Sequence, residues 1–349
     1  MKEKRILYIT AFQSTFIKRD AALLMQISEL KELSFKANPK WLLPFSLIKQ
    51  LFQLISFLPK SDFVVCQYVS YHCLLPVLLS KLMGKKCILF LLGGDCHNYP
   101  TIGRGNFRNK LLAFATRICV KNASLLCPVH ESLMKFNNHY DQQEPVRQGL
   151  KNQIINLKTP YLAIPYGIDS TVFYPEKTEK IAHSFITISS KFAPPVFENK
   201  GLDLIIEAAK KLPDFNFSIL GKNDWFDVSQ LPVNVHLIPP GDAEYLRKNL
   251  SQHEHYLQIS ISEGFPNALC EAMLCGCIPI GSEVYGIPDI VGNTGYILKK
   301  RDVNELVGLL KKADSESNNE KSLEAVKRIK TYYPPERRLD AFRKILETK

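Results

Sequence analysis

Glu263 and Glu271 stand eight positions apart in the stretch SEGFPNALCEAMLCGCIPIGS, residues 262–282. On a single helix that spacing would be about 12 Å along the axis. Gly264 and Pro266 follow Glu263 directly, so the first acid should precede a helix and the second should ride on it. A carboxylate accepts two hydrogen bonds at once, which suits neighbouring sugar hydroxyls. Two acids placed separately fit separate contacts to a carbohydrate better than a shared proton. Asn267 stands where a helix cap is expected. Unpaired amides at a helix start attract an anion or a hydroxyl-rich group. The plain alternative is a helix start with two solvated acids.

Such a site needs a strand before it and a helix after it, and the chain repeats that rhythm. Apolar runs RILYIT (5–10), FVVCQYV (63–69), KCILFLL (86–92), SLLCPV (124–129) and YLAIPYG (161–167) read as strands. Residues 19–33, 74–83 and 106–120 between them read as helices. The alternation restarts at SFITISS (184–190) and continues through FNFSIL, VHLIP, HYLQISIS, CIPIG and GYIL, with helices at 202–212, 242–250 and 302–313. Strand–helix alternation predicts parallel sheets with helices on both faces. We therefore expect an N-terminal domain over 1–165, a hinge over 166–180 and a second domain over 181–330. A terminal helix, 331–349, is expected to cross back to the first domain.

The 349 residues suit two domains, and 46% hydrophobic with 23% charged residues is ordinary for a globular chain. The basic start MKEKRILYIT reads as a first strand and not as a signal peptide. Nine scattered cysteines without a CxxC pair suggest reduced thiols and a cytoplasmic setting. Residues 1–165 carry 22 Lys and Arg against 9 Asp and Glu, while the remainder is nearly balanced, within a net charge of +11. A basic first half predicts an anionic partner. The excess is diffuse and no nucleic-acid motif accompanies it, so nucleic acid is not expected. Residues 41–58 carry Trp41, Phe45, Ile48, Phe52 and other apolar residues in helical spacing. They read as a core-covering helix, with a membrane-surface helix as the alternative.

The sequence around the two acids, E-G-F-P, N-A-L-C, E-A-M and G-C-I-P, closely resembles the donor site of the GT4 family of retaining glycosyltransferases. SEVYGIPDIVGNTGYIL (282–298) and IPYGIDSTVFYP (164–175) extend the resemblance over residues 160–313. The resemblance implies the α/β GT-B fold: two Rossmann-like, doubly wound parallel-sheet domains facing across a cleft that closes about the hinge. It implies transfer of a hexose-like sugar from a nucleotide-sugar co-substrate to a glycan or lipid-linked acceptor, in bacterial surface polysaccharide biosynthesis. Glu263 would contact the transferred sugar and Glu271 the nucleotide ribose. Gly264, Phe265, Pro266, Asn267 and Ala268 would line the sugar and diphosphate.

The family supplies two cations for the diphosphate, and Lys191 and Lys200 stand at those places, Lys191 where an arginine is usual. No Asp-x-Asp motif occurs, so no metal and no other cofactor is expected. In LLGGDCHNYP (91–100) Leu92 replaces the family's histidine. Asp95 would bind or deprotonate the acceptor hydroxyl, unless it only holds its turn. Gly94, His97, Arg104, Arg108 and His130 are further acceptor-side candidates, with capping as the ordinary role of His130. GRGNFR (103–108) follows no strand and lacks the third glycine of a dinucleotide fingerprint. Two other classes fit the same fold: a non-catalytic binding scaffold and a nucleotide-sugar epimerase. The expected location is cytoplasmic, with peripheral attachment at the inner face of the membrane.

Overall fold

A computed structural model describes residues 4–37, 39–141, 144, 146–317 and 319–347. The chain forms two compact units. One comprises Met1–Phe136, Gln148–Tyr166 and Glu336–Lys349; the other comprises Asn137–Arg147 and Gly167–Pro335. The divisions at 136/137 and 147/148 are absent from the sequence expectation, which kept 1–165 whole.

The first unit is a five-stranded sheet of β1 (Lys4–Thr10), β2 (Ser28–Ser34), β3 (Phe63–Gln67), β4 (Lys86–Leu91) and β5 (Leu125–Pro128), in the order β2-β1-β3-β4-β5. All its pairings are parallel. Its helices are α1 (Thr15–Met25), α2 (Leu43–Phe57), α3 (Leu74–Leu82), α4 (Lys110–Asn122) and the short α5 (Leu150–Gln153). The helix expected over 19–33 is instead the end of α1 followed by β2. β2 is an edge strand with charged Glu29, Lys31 and Glu32, so it lacks the apolar signature of a buried parallel strand. The strand expected at 161–167 makes only a bridge at Tyr161, although Leu162 and Ile164 donate to the carbonyls of Leu126 and Pro128.

The core of this unit joins Ile6, Tyr8, Val65, Ile88 and Phe90 of the sheet to Ile17, Ala21 and Leu24 of α1, and to Phe342, Ile345 and Leu346 near the chain's end. Asp20 and Arg338, both 1% exposed in their side chains, form an ion pair inside this layer.

Between the β5 region and α5 the chain makes a two-stranded excursion, β6 (Phe136–Asn138) and β7 (Val146–Gln148). The second unit is a six-stranded parallel sheet of β8 (Ile181–Lys191), β9 (Asn216–Lys222), β10 (Val235–Ile238), β11 (His253–Gln258), β12 (Ile278–Ser282) and β13 (Tyr296–Leu298), ordered β10-β9-β8-β11-β12-β13. Its helices are α6 (Val196–Asn199), α7 (Leu202–Lys211), α8 (Ala243–Ser251), α9 (Asn267–Leu274), α10 (Ile287–Val291), α11 (Val303–Ser315) and α12 (Asn319–Tyr332). The final helix, α13 (Pro335–Glu347), belongs from Glu336 onward to the first unit. The last two residues of the helix expected there lie outside the described residues.

Candidate functional site

In the second sheet the strand order reverses between β8 and β11, and open α/β sheets bind ligands at the carboxyl ends of strands at such a switch. The two segments leaving this point carry Lys200 and Glu263. Lys200 Nζ donates to Glu263 Oε1 at 2.6 Å, with side chains 20% and 13% exposed. The turn that delivers Lys200 needs glycine next: Gly201 has φ +68°, and a Cβ there would lie 2.6 Å from the Ile259 carbonyl oxygen. The amide of Ile261 donates to the Asn199 carbonyl at 2.8 Å, and Asn199 Nδ2 donates to the Ser262 carbonyl at 3.2 Å. Lys200 and Glu263 are thus held by one clamped pair of loops.

The same carboxylate oxygen accepts from Ser260 Oγ at 2.9 Å and Gln258 Nε2 at 3.2 Å. Gln258 also donates to Ser260 Oγ and accepts from the Tyr256 hydroxyl. Burial raises the Tyr256 pKa well above its ordinary value, and the charges of Glu263 and Glu271 raise it further, so this phenol stays neutral. Sequence reasoning missed Gln258 and Ser260. The signal was present as polar residues at alternate positions, Gln258 at the end of β11 and Ser260 just beyond it, so both face Glu263.

At the start of α9 the capping residue is Pro266, and no side chain caps the helix. Asn267 is its first helical residue, which corrects the expectation that it caps. Two carboxamide oxygens near this region, Asn199 Oδ1 and Asn267 Oδ1, are buried without a partner among the described residues. Acceptors of that kind suit hydroxyl or amide donors of a ligand. Glu271 is half-buried on α9, as is Ala268, while Gly264 and Pro266 are buried. Phe265 is a wall residue, 6% exposed, with its ring edge-on to Tyr333 at 5.3 Å. Lys191 is exposed at the end of β8, in register with Lys222 of β9. The structure therefore joins Lys200, not Lys191, to Glu263.

The excursion 137–147 buttresses this site, and no local pattern in the sequence signals it. Asn138 Nδ2 donates to the Ile261 carbonyl at 3.0 Å, and the Tyr140 hydroxyl donates to the Ile259 carbonyl at 3.3 Å. Arg301 donates its amide to the Tyr140 carbonyl at 2.9 Å and ion-pairs with Asp203 of α7 and Asp141.

In the first unit, the strand order reverses between β1 and β3. There Tyr68 takes a left-handed backbone at φ +60°, and its ring meets Phe12 at 5.6 Å between centroids. A non-glycine residue in that region marks strain held by its surroundings. Gly94 fits because a Cβ would approach the Tyr68 hydroxyl at 3.0 Å, and that hydroxyl donates to Asn106 Oδ1 at 3.2 Å.

Asp95 is wholly buried. It accepts from the amides of Val69 (3.0 Å), Leu92 (3.1 Å) and Gly93 (2.9 Å). Burial raises its pKa to about 6 against the pull of those amides. Its carboxylate holds the turn after β4. His130 accepts the Ser132 amide at 3.3 Å and so caps a short turn; Arg104 is half-buried in a loop bridged to Tyr99, and Arg108 is exposed.

His97 is 1% exposed, and burial with the nearby Arg104 charge pushes its pKa down to about 3. An unfolded histidine titrates near 6.5, so in the window between these values the unfolded chain binds a proton that the folded chain refuses. Stability should therefore fall as pH drops, by about 1.4 kcal/mol per pH unit for this ring. Denaturant midpoints of the first unit, measured from about pH 6.5 down to about pH 4.5, should fall less steeply in His97→Gln. An unchanged slope would show that His97 takes up its proton in the folded state.

The family description "Glycosyl transferases group 1" matches residues 191–347. N-acetyl-alpha-D-glucosaminyl L-malate synthase from Bacillus anthracis is 31% identical over 286 residues, covering 76% of this chain and 70% of that protein. A phosphatidylinositol N-acetylglucosaminyltransferase subunit from Homo sapiens is 30% identical over 179 residues, covering 48% of this chain. The chain spans 35% of the length of that human relative and 29% of its yeast counterparts. Among solved structures, sucrose-phosphate synthase from Thermosynechococcus elongatus matches with a TM-score of 0.76 at 13% identity, covering 98% of both chains. HepE from Anabaena in complex with UDP matches with a TM-score of 0.70 at 12% identity, covering 98% of this chain and 99% of that one. These structures have the GT-B fold.

Proposed function

The chain belongs to the GT4 family, glycosyl transferases group 1, and from that premise we propose that it transfers a hexose-like sugar, with retention, from a nucleotide-sugar donor to a hydroxyl. The observation that carries this reading is the Lys200–Glu263 pair at the switch point of the second sheet, beside the uncapped start of α9. Lys200 and the first amides of α9 offset the charge of the departing diphosphate, and Lys191 adds a second cation at the end of β8. Glu263, positioned by Gln258 and Ser260, takes the transferred sugar, and Glu271 takes the ribose. The departing phosphate oxygen receives the acceptor's proton, because Asp95 is committed to backbone amides.

The names of the two relatives at 30–31% identity make an N-acetylhexosamine the first sugar to test. The UDP held by HepE makes uridine diphosphate the first nucleotide. The basic first unit supports an anionic, lipid-linked saccharide as acceptor, of the kind used in surface polysaccharide assembly, with Tyr68, Gly94, Arg104 and Arg108 on the acceptor side.

The test is calorimetric, then chemical. Uridine diphosphate or its sugar should raise the melting temperature of the second unit, since a ligand selective for the native state stabilises it. Donor consumption should then require an acceptor, and the product's anomeric configuration should match the donor's. Binding without turnover under any acceptor would support a scaffold, and epimerised donor without acceptor would support an epimerase. Absence of any nucleotide-dependent shift would remove the proposal's basis.

A further inference from the structure

The first unit carries a second surface feature, on elements that hold none of the candidate donor-site residues. Helix α2, expected to cover the core, buries only Gln50 and Leu54. Its opposite face presents Trp41 just before it, then Phe45, Ile48, Phe52 and Ile55, between 54% and 69% exposed. Their spacing of four, three, four and three residues keeps them on one stripe. A monomeric protein rarely leaves so large a contiguous apolar stripe in water.

The neighbouring helices extend it. β2→β3, β3→β4 and β4→β5 all step in one direction across the sheet, so right-handed crossovers place α2, α3 and α4 on one face. α2 packs against α3, and α3 against α4. Leu78 and Leu82 of α3 and Leu111 and Phe114 of α4 are exposed on this layer, Leu82 by 82% and Leu111 by 73%.

The charge of this layer is one-signed. The three helices contain Lys49, Lys81, Lys110, Arg117 and Lys121 and no acidic residue. From residue 37 to residue 130 the sequence has only two acids, Asp62 and Asp95. Asp95 is buried, and Asp62 accepts the Arg5 amide and pairs with its guanidinium. A protein partner of mixed charge would leave these cations unmatched, whereas an anionic bilayer matches both the charge and the apolar stripe. At 15 residues α2 is short of the roughly 20 needed to span a bilayer. No helix among the described residues is long and apolar enough to cross one. We propose that the α2–α3–α4 face docks on an anionic lipid surface, with α2 lying in the interface and its aromatic stripe among the acyl chains.

The experiment uses the full chain with Trp225→Phe, which leaves Trp41 as the sole tryptophan. Vesicles of phosphatidylglycerol and phosphatidylcholine in equal parts should shift Trp41 emission to the blue and carry the protein down on sedimentation. Pure phosphatidylcholine should bind at least about ten-fold more weakly, and raised salt should weaken the anionic case. The triple variant Phe45→Ser, Phe52→Ser, Ile55→Ser should lose about ten-fold or more in vesicle affinity while keeping its circular dichroism. Lys49→Glu with Lys110→Glu should reduce binding to anionic vesicles alone. Equal binding to both vesicle types, or a stripe buried in a dimer that ignores vesicles, would overturn the proposal.

Discussion

Glu263→Gln is expected to lower kcat for sugar transfer by about 100- to 1,000-fold, the range seen when one preorganised electrostatic group is removed from an active site. The substitution keeps the shape, and the amide oxygen can still accept from Lys200, Ser260 and Gln258, whose donors converge on one oxygen. What it removes is the negative charge. That charge neutralises Lys200 and, in the role proposed for Glu263, would favour the cationic character that a sugar acquires as its bond to phosphate breaks. Binding of uridine diphosphate should consequently hold or tighten, because Lys200 is no longer matched by a carboxylate. Single-turnover kinetics and nucleotide titration separate the two effects. A variant within about threefold of the parent in kcat would mean that the charge of Glu263 has no part in the chemistry.

The second large effect concerns stability. Arg338 donates Nε to Asp20 Oδ1 and Nη2 to Asp20 Oδ2, each at 2.6 Å. It also donates Nη1 to the carbonyls of Ile164 (2.5 Å) and Pro165 (2.9 Å), and its guanidinium lies over the rings of Tyr166, Phe342 and Phe90. Gln67 Nε2 completes the set on Asp20 Oδ2. Arg338→Met strands the Asp20 charge in a dry interior, a loss of about 3–5 kcal/mol. For a unit of this size that is roughly 6–20 °C in melting temperature. The double variant Arg338→Met, Asp20→Leu should recover part of the loss, because replacing both members removes the stranded charge. Nucleotide binding by the second unit serves as the control. An Arg338→Met protein that melts with the parent would show that the pair contributes nothing.

The second unit was the more legible. Apolar runs such as FITIS, FSIL and CIPI marked its strands, and Gly264 with Pro266 after β11 marked the strand-to-helix turn where the candidate site lies. β2 was hidden because an edge strand with Glu29, Lys31 and Glu32 looks like a polar helix face. The exposed stripe of α2 was read as core, since hydrophobic spacing reports that a face is buried without saying by what. The ion pair of Lys200 with Glu263 joins residues 63 positions apart. The buttress from Asn138 and Tyr140 joins segments about twice as distant. Neither has a periodic signature, because such contacts are fixed by sheet order and not by local spacing.

Both units are assembled from separate stretches of the chain: residues 137–147 leave the first for the second, and the chain returns from Glu336 to finish the first. During synthesis, the amino-terminal part leaves the ribosome without Arg338, Phe342, Ile345 and Leu346, and so without one wall of its interior. The portion made first is therefore completed last, and a nascent or truncated chain lacking its final helix exposes the apolar side of α1. Expression of either half alone, cut at the linker after Tyr166, would yield two incomplete pieces.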